Sequence, residues 1–76
     1  MENRVKEVMG AVFEIDPRNI NETSSADTIE SWDSIKHMSL VVALEEEFGI
    51  QLTDDQIADM QNYKLIILTL QEAGAN

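Results

Sequence analysis

Apolar residues in this chain recur three and four positions apart, and that spacing constrains the fold more than any other feature of the sequence. Val5, Val8, Met9, Val12 and Phe13 fall at i, i+3, i+4, i+7 and i+8. This lines one face of a helix with 3.6 residues per turn. Tyr63, Ile66, Ile67 and Leu70 repeat the pattern near the other end. A helix between them starts at Ser34 or Ile35, since Asp33 and Ser34 are both residue types that cap helix starts. It ends near Gly49, which suits the left-handed position after a helix. Thr53-Asp54-Asp55-Gln56 carries the capping-box pattern of a further short helix, with Leu52 and Ile57 placed as a hydrophobic staple. The last helix is expected to fray near Gly74. No strand candidate exists beyond Ile50-Gln51-Leu52. The expected fold is all-α, a small four-helix bundle with a long first loop and a short third helix.

That loop is the irregular part of the chain. Asp16-Pro17 is expected to end the first helix, because a residue before proline is pushed out of the helical region. From Ile15 to Asp33 the sequence is rich in Asn, Ser, Thr and Asp and shows no period. So long a loop in so short a chain hints at function. Ile15, Ile20, Ile29 and Trp32 are placed to pin it to the core. The 76 residues suffice for one domain, spanning 1–76, and 43% of them are hydrophobic. With no cysteine no disulfide is available, and with His37 as the single histidine a structural zinc site is not supported.

Fifteen acids against five bases give a net charge of −10. Such a surface repels phosphate backbones and anionic lipid, which argues against nucleic acid and membranes and favours basic protein partners. The longest apolar run, Leu65-Ile66-Ile67-Leu68, is far too short to span a bilayer, and no signal-peptide core follows Met1. A cytoplasmic monomer is the expectation. Glu45, Glu46 and Glu47 cluster on one helix and Asp54, Asp55 and Asp59 on the next. Loose divalent-cation sites are expected among these acids.

Two faces of the second helix carry different residues. With successive positions about 100° apart, Leu40, Val41, Leu44 and Phe48 share one arc, an ordinary core stripe. Ile35, Met38 and Val42 fall opposite, with Glu45 and Glu46 beside them. One apolar face suffices to join a bundle. The second therefore suggests a partner surface edged with carboxylates, the alternative being a central helix buried nearly all round.

Asp33, Ser34 and His37 have the residue types of a nucleophile triad, yet no group is evidently placed to orient His37 and no glycine turn supplies an oxyanion hole. No calcium-binding loop pattern is present. Ser34 is the better lead. It sits where the long loop meets an acidic helix, and a phosphodiester there would face the positive end of the helix dipole. The plainer alternative is that Ser34 is only a cap.

Asp33-Ser34-Ile35, followed by Leu40-Val41-Val42-Ala43-Leu44-Glu45-Glu46-Glu47-Phe48-Gly49-Ile50, closely resembles the acyl carrier protein family. The likeness extends over the whole chain in length, charge and helix spacing. The resemblance implies an acyl-carrier-like domain with 4′-phosphopantetheine on Ser34, attached from coenzyme A by a phosphopantetheinyl transferase. Asp33 would help to position that enzyme's Mg²⁺. The second helix would be the recognition helix, presenting Ile35, Met38, Val42, Glu45 and Glu46 to acyl-loading and acyl-using enzymes with basic surfaces. The chain itself would be no enzyme. It would carry acyl groups as thioesters in fatty-acid or polyketide-type biosynthesis. Glu30-Ser31-Trp32 before the Asp-Ser pair departs from fatty-acid carriers and looks more like a stand-alone carrier of a specialised pathway. An aminoacyl or peptidyl carrier shares these features, and an unmodified acidic interaction module is the rival from another class. His37 falls towards the core side of the helix and is expected beneath Trp32.

Overall fold

The structure is a computed structural model that describes residues 1–74, so the expected domain span of 1–76 runs beyond it. Helix α1 covers Glu2–Phe13, α2 Ser34–Phe48, α3 Asp54–Asp59 and α4 Tyr63–Glu72. Helix α1 packs on α2, and α3 on α4. Among the described residues the one β-type pairing is an isolated bridge between Ser25 and Asn62. Ile50-Gln51-Leu52 forms no strand.

Local chemistry accounts for the boundaries. Helix α1 stops at Phe13 rather than at Asp16-Pro17, and Glu14 takes the left-handed cap conformation at φ 57°. Proline ends nothing here. Pro17 opens a 3₁₀ turn, Pro17–Asn19, whose cap Asp16 accepts from the Arg18 N–H. Proline is tolerated at a first helical position because its missing N–H has no partner there. The turn folds back so tightly that a Cβ on Gly10 would lie 2.9 Å from the Ile15 carbonyl oxygen and 2.8 Å from Pro17 Cγ. Asp33 caps α2 and Gly49 closes it at φ 63°. The Thr53–Gln56 capping box is present at α3, and Asn62 caps α4.

The long loop is stitched down. Ile20, Ile29 and Trp32 are buried, and Ile15 packs against the core from its edge. The Ala26 N–H donates to the Gln61 carbonyl at 3.1 Å and the Tyr63 N–H to the Ser24 carbonyl at 2.9 Å. These bonds give the loop backbone the partners that a buried chain requires. The core joins Val5, Met9 and Phe13 of α1 to Leu40, Val41 and Leu44 of α2 and Tyr63, Ile66 and Leu70 of α4. Val8, Val12 and Phe48 are only half-buried. Arg4 explains Phe48: its guanidinium lies 4.6 Å from the ring centroid and pairs with Glu47 at 2.9 Å.

Two of the clustered acids already have partners within the chain. Among the described residues no three His, Asp or Glu side chains gather as a metal ion would need. Glu47 is occupied by Arg4, and the Glu45 carboxylate accepts from the Leu52 N–H at 2.8 Å. No described helix is long and apolar enough to cross a membrane.

Candidate functional site

Ser34 is the first residue of α2 and is exposed. The plainer reading, that it serves as the cap, does not hold. Asp33 takes that role, accepting the Lys36 N–H on its carboxylate at 2.8 Å and the His37 N–H on its carbonyl at 2.8 Å. The Ser34 hydroxyl is thereby released from capping. The leading N–H groups of α2, at Ser34 and Ile35, point beyond the helix end with the positive end of its dipole.

Below Ser34 runs the second apolar face. Ile35 is 79% exposed, Met38 51% and Val42 50%. With Ser34, Ala43 and Glu46 they line an open groove of about 650 Å³. The alternative of a helix buried all round is therefore wrong for α2. Glu46 edges the groove. Glu45 departs from expectation: it is half-buried and turned towards Leu52, which places it apart from the strip. A second groove of about 490 Å³ meets Ser34 on its other side, walled by Trp32, His37 and Gln61.

His37 is held from two sides. Trp32 Nε1 donates to Nδ1 at 3.0 Å, and Nε2 lies 2.8 Å from the Ile57 carbonyl oxygen. The expectation that nothing orients His37 is thus overturned. Triad chemistry fails for the opposite reason, since both ring nitrogens are already engaged. Ile57 stands twenty positions away on α3, so no local sequence pattern marks it as the partner. The polar residue types of Asn62 and Asp16 just ahead of helical turns were the signals for those two caps.

The residues at this site fit a bulky covalent group on Ser34. The hydroxyl is accessible and unused by the helix cap, and grooves on both sides leave room for a flexible arm. A small helical bundle that presents such a serine at the head of its second helix has the form of a carrier domain.

Comparison with known proteins makes the class specific. Residues 3–67 match the family described as "Phosphopantetheine attachment site". Acyl carrier protein 2 of Pseudomonas aeruginosa is 30% identical over 73 residues, which cover 96% of this chain and 92% of that protein. The fold superposes with a TM-score of 0.84 on the solution structure of a holo acyl carrier protein from Geobacter metallireducens, at 24% identity, over 95% of this chain and 83% of that one. The chain belongs to the phosphopantetheine-attachment family, as a carrier domain of acyl carrier protein type. The prosthetic group of this family is a covalently attached phosphopantetheine.

Proposed function

We propose that Ser34 carries the 4′-phosphopantetheine and that the chain holds acyl intermediates for partner enzymes without catalysing their chemistry. The observation that carries this reading is the exposed Ser34 hydroxyl at the first residue of α2, spared from capping by Asp33. Its oxygen forms the new phosphodiester bond and loses its proton, while the pyrophosphate bond of coenzyme A breaks and the nucleotide half leaves. Once attached, the group supplies the thiol that a chain with no cysteine lacks, so that cargo is held as a thioester. Asp33 keeps α2 intact up to the serine and brings a carboxylate beside it, where the transferase's Mg²⁺ is needed. The Ser34 and Ile35 N–H groups and the helix dipole favour a phosphate there.

Ile35, Met38 and Val42, edged by Glu46, form the face for the transferase and for acyl-loading and acyl-using enzymes. A net charge of −10 speeds encounter with basic surfaces, and a small apolar strip keeps each complex short-lived. Glu45 belongs to this face only at its margin, because its carboxylate is committed to Leu52.

Co-expression with a broad-specificity phosphopantetheinyl transferase, followed by intact mass, tests the reading. The wild type is expected to gain one phosphopantetheine-sized increment. Ser34→Ala loses it, while Ser31→Ala and Ser39→Ala keep it. A Ser34→Ala protein that still gains the group refutes the assignment. A wild type that gains nothing leaves an unmodified interaction module.

A further inference from the structure

One imidazole joins three parts of the fold directly beneath Ser34. Trp32 lies at the end of the long loop, His37 in the first turns of α2, and Ile57 on α3. An indole nitrogen only donates and a carbonyl oxygen only accepts. The contacts at 3.0 Å and 2.8 Å are therefore satisfied together only by neutral His37 with its proton on Nε2. The two rings are nearly parallel, at 19° with centroids 6.1 Å apart. Trp32 also stacks on Phe13 of α1 at 4.8 Å. Asp33 and Ser34 lie between the two joined residues in the chain.

The Asp33 cap fixes where α2 begins, but not how the approaching loop meets it. The Ser31 hydroxyl also holds the loop end, donating to the Phe13 carbonyl at 3.0 Å, but that bond ties it to α1 and leaves the Trp32 indole unfixed against α3. A buried donor that loses its acceptor is costly, so the tie through His37 selects one arrangement. We infer that His37 is a positioning residue for modification: by bolting Trp32 to α3 it presents the Ser34 hydroxyl to the modifying enzyme in one orientation. This rests on the reading of Ser34 as the attachment site.

The test uses the whole chain, a phosphopantetheinyl transferase, coenzyme A and Mg²⁺, with loading followed by intact mass. His37→Phe removes both hydrogen bonds. Trp32→Phe removes only the indole donor and keeps an aromatic ring against Phe13. His37→Gln keeps one acceptor for the indole and one donor for the Ile57 carbonyl. All are assayed where circular dichroism shows them fully folded, so that a change in stability alone does not alter the rate. His37→Phe and Trp32→Phe are expected to raise KM for the carrier about tenfold with kcat held, the scale of one or two lost neutral hydrogen bonds. His37→Gln should recover most of that loss. In the wild type, nitrogen–nitrogen coupling across the hydrogen bond between Trp32 Nε1 and His37 Nδ1 should be visible by NMR, on the chain's single indole. Absence of that coupling overturns the inference, as does an unchanged KM in Trp32→Phe, which decides the matter if His37→Phe does not fold. A His37→Gln carrier no better than His37→Phe also overturns it. A wild type that does not load at all instead refutes the Ser34 reading, so the two failures are distinct.

Discussion

Leu44 and Val42 stand two residues apart on α2, yet truncating them should have very different consequences. Leu44 is 0% exposed at the centre of the core and Val42 is 50% exposed on the opposite side of the helix. Leu44→Ala removes three carbons from a packed interior. At about 0.8 kcal/mol per buried methylene this is roughly 2.4 kcal/mol before any cavity cost. With the cavity included, about 2–5 kcal/mol is expected. Val42→Ala removes two half-exposed carbons, worth about 0.8 kcal/mol, and alanine regains a few tenths through its better helix propensity. The net loss should be no more than about 0.5 kcal/mol. In a domain of this size each kcal/mol moves the melting midpoint by about 4–8 °C. Leu44→Ala should therefore melt at least about 8 °C lower, and Val42→Ala within a few degrees of wild type. Urea titrations with a shared m-value would give the two free energies directly. Equal losses, or a Val42→Ala loss above about 2 kcal/mol, would show that α2 is packed on both faces and would remove the partner strip.

Asp33→Ala should cost about 0.5–2 kcal/mol of stability by removing the α2 cap, whereas Ser34→Ala should stay within about 0.5 kcal/mol, both read by urea midpoint. Glu46→Lys should slow loading by a basic partner and flatten its dependence on salt while leaving stability within about 0.5 kcal/mol. Glu45→Lys should instead cost about 1–3 kcal/mol, because the Leu52 N–H loses its acceptor. The Tyr63 phenol is pushed up to about 12, first by burial and then by the Glu2 carboxylate, to which it donates at 3.3 Å. The folded state thus holds this proton more tightly than the unfolded chain does. Stability should fall as pH rises from the usual tyrosine value of about 10 towards 12. Absorbance titration of this single tyrosine should show the high midpoint, lowered only in part by Glu2→Gln, and a midpoint at the ordinary value would contradict the assignment.

Features written in a few adjacent residues were legible in the sequence. Asp33 and Gly49 bracket α2, and Thr53 with Gln56 marks α3, because caps satisfy backbone groups only three or four positions away. The two faces of α2 follow from helical geometry alone. Ser34 stood out because its residue type and position were both local facts. What the sequence hid depends on partners distant in the chain. Glu45 looked like a rim carboxylate until the turn after Gly49 brought the Leu52 N–H to it. His37 lacked an evident partner because the Ile57 carbonyl reaches it only when α3 packs. The end of α1 was misplaced because Pro17 is compatible both with ending one helix and with starting the next turn. In the structure Glu14 closes α1 in the left-handed conformation, and the turn begun by Pro17 packs on Gly10, where no Cβ stands in its way.

Because Asp33 rather than Ser34 holds the head of α2, a substituent esterified to Ser34 displaces no cap bond of the fold. If Ser34 is the attachment point, as proposed, the first turn of α2 should therefore keep its cap on modification, and the amide of Lys36, bonded to the Asp33 carboxylate, should exchange with solvent no faster in the modified protein than in the bare one.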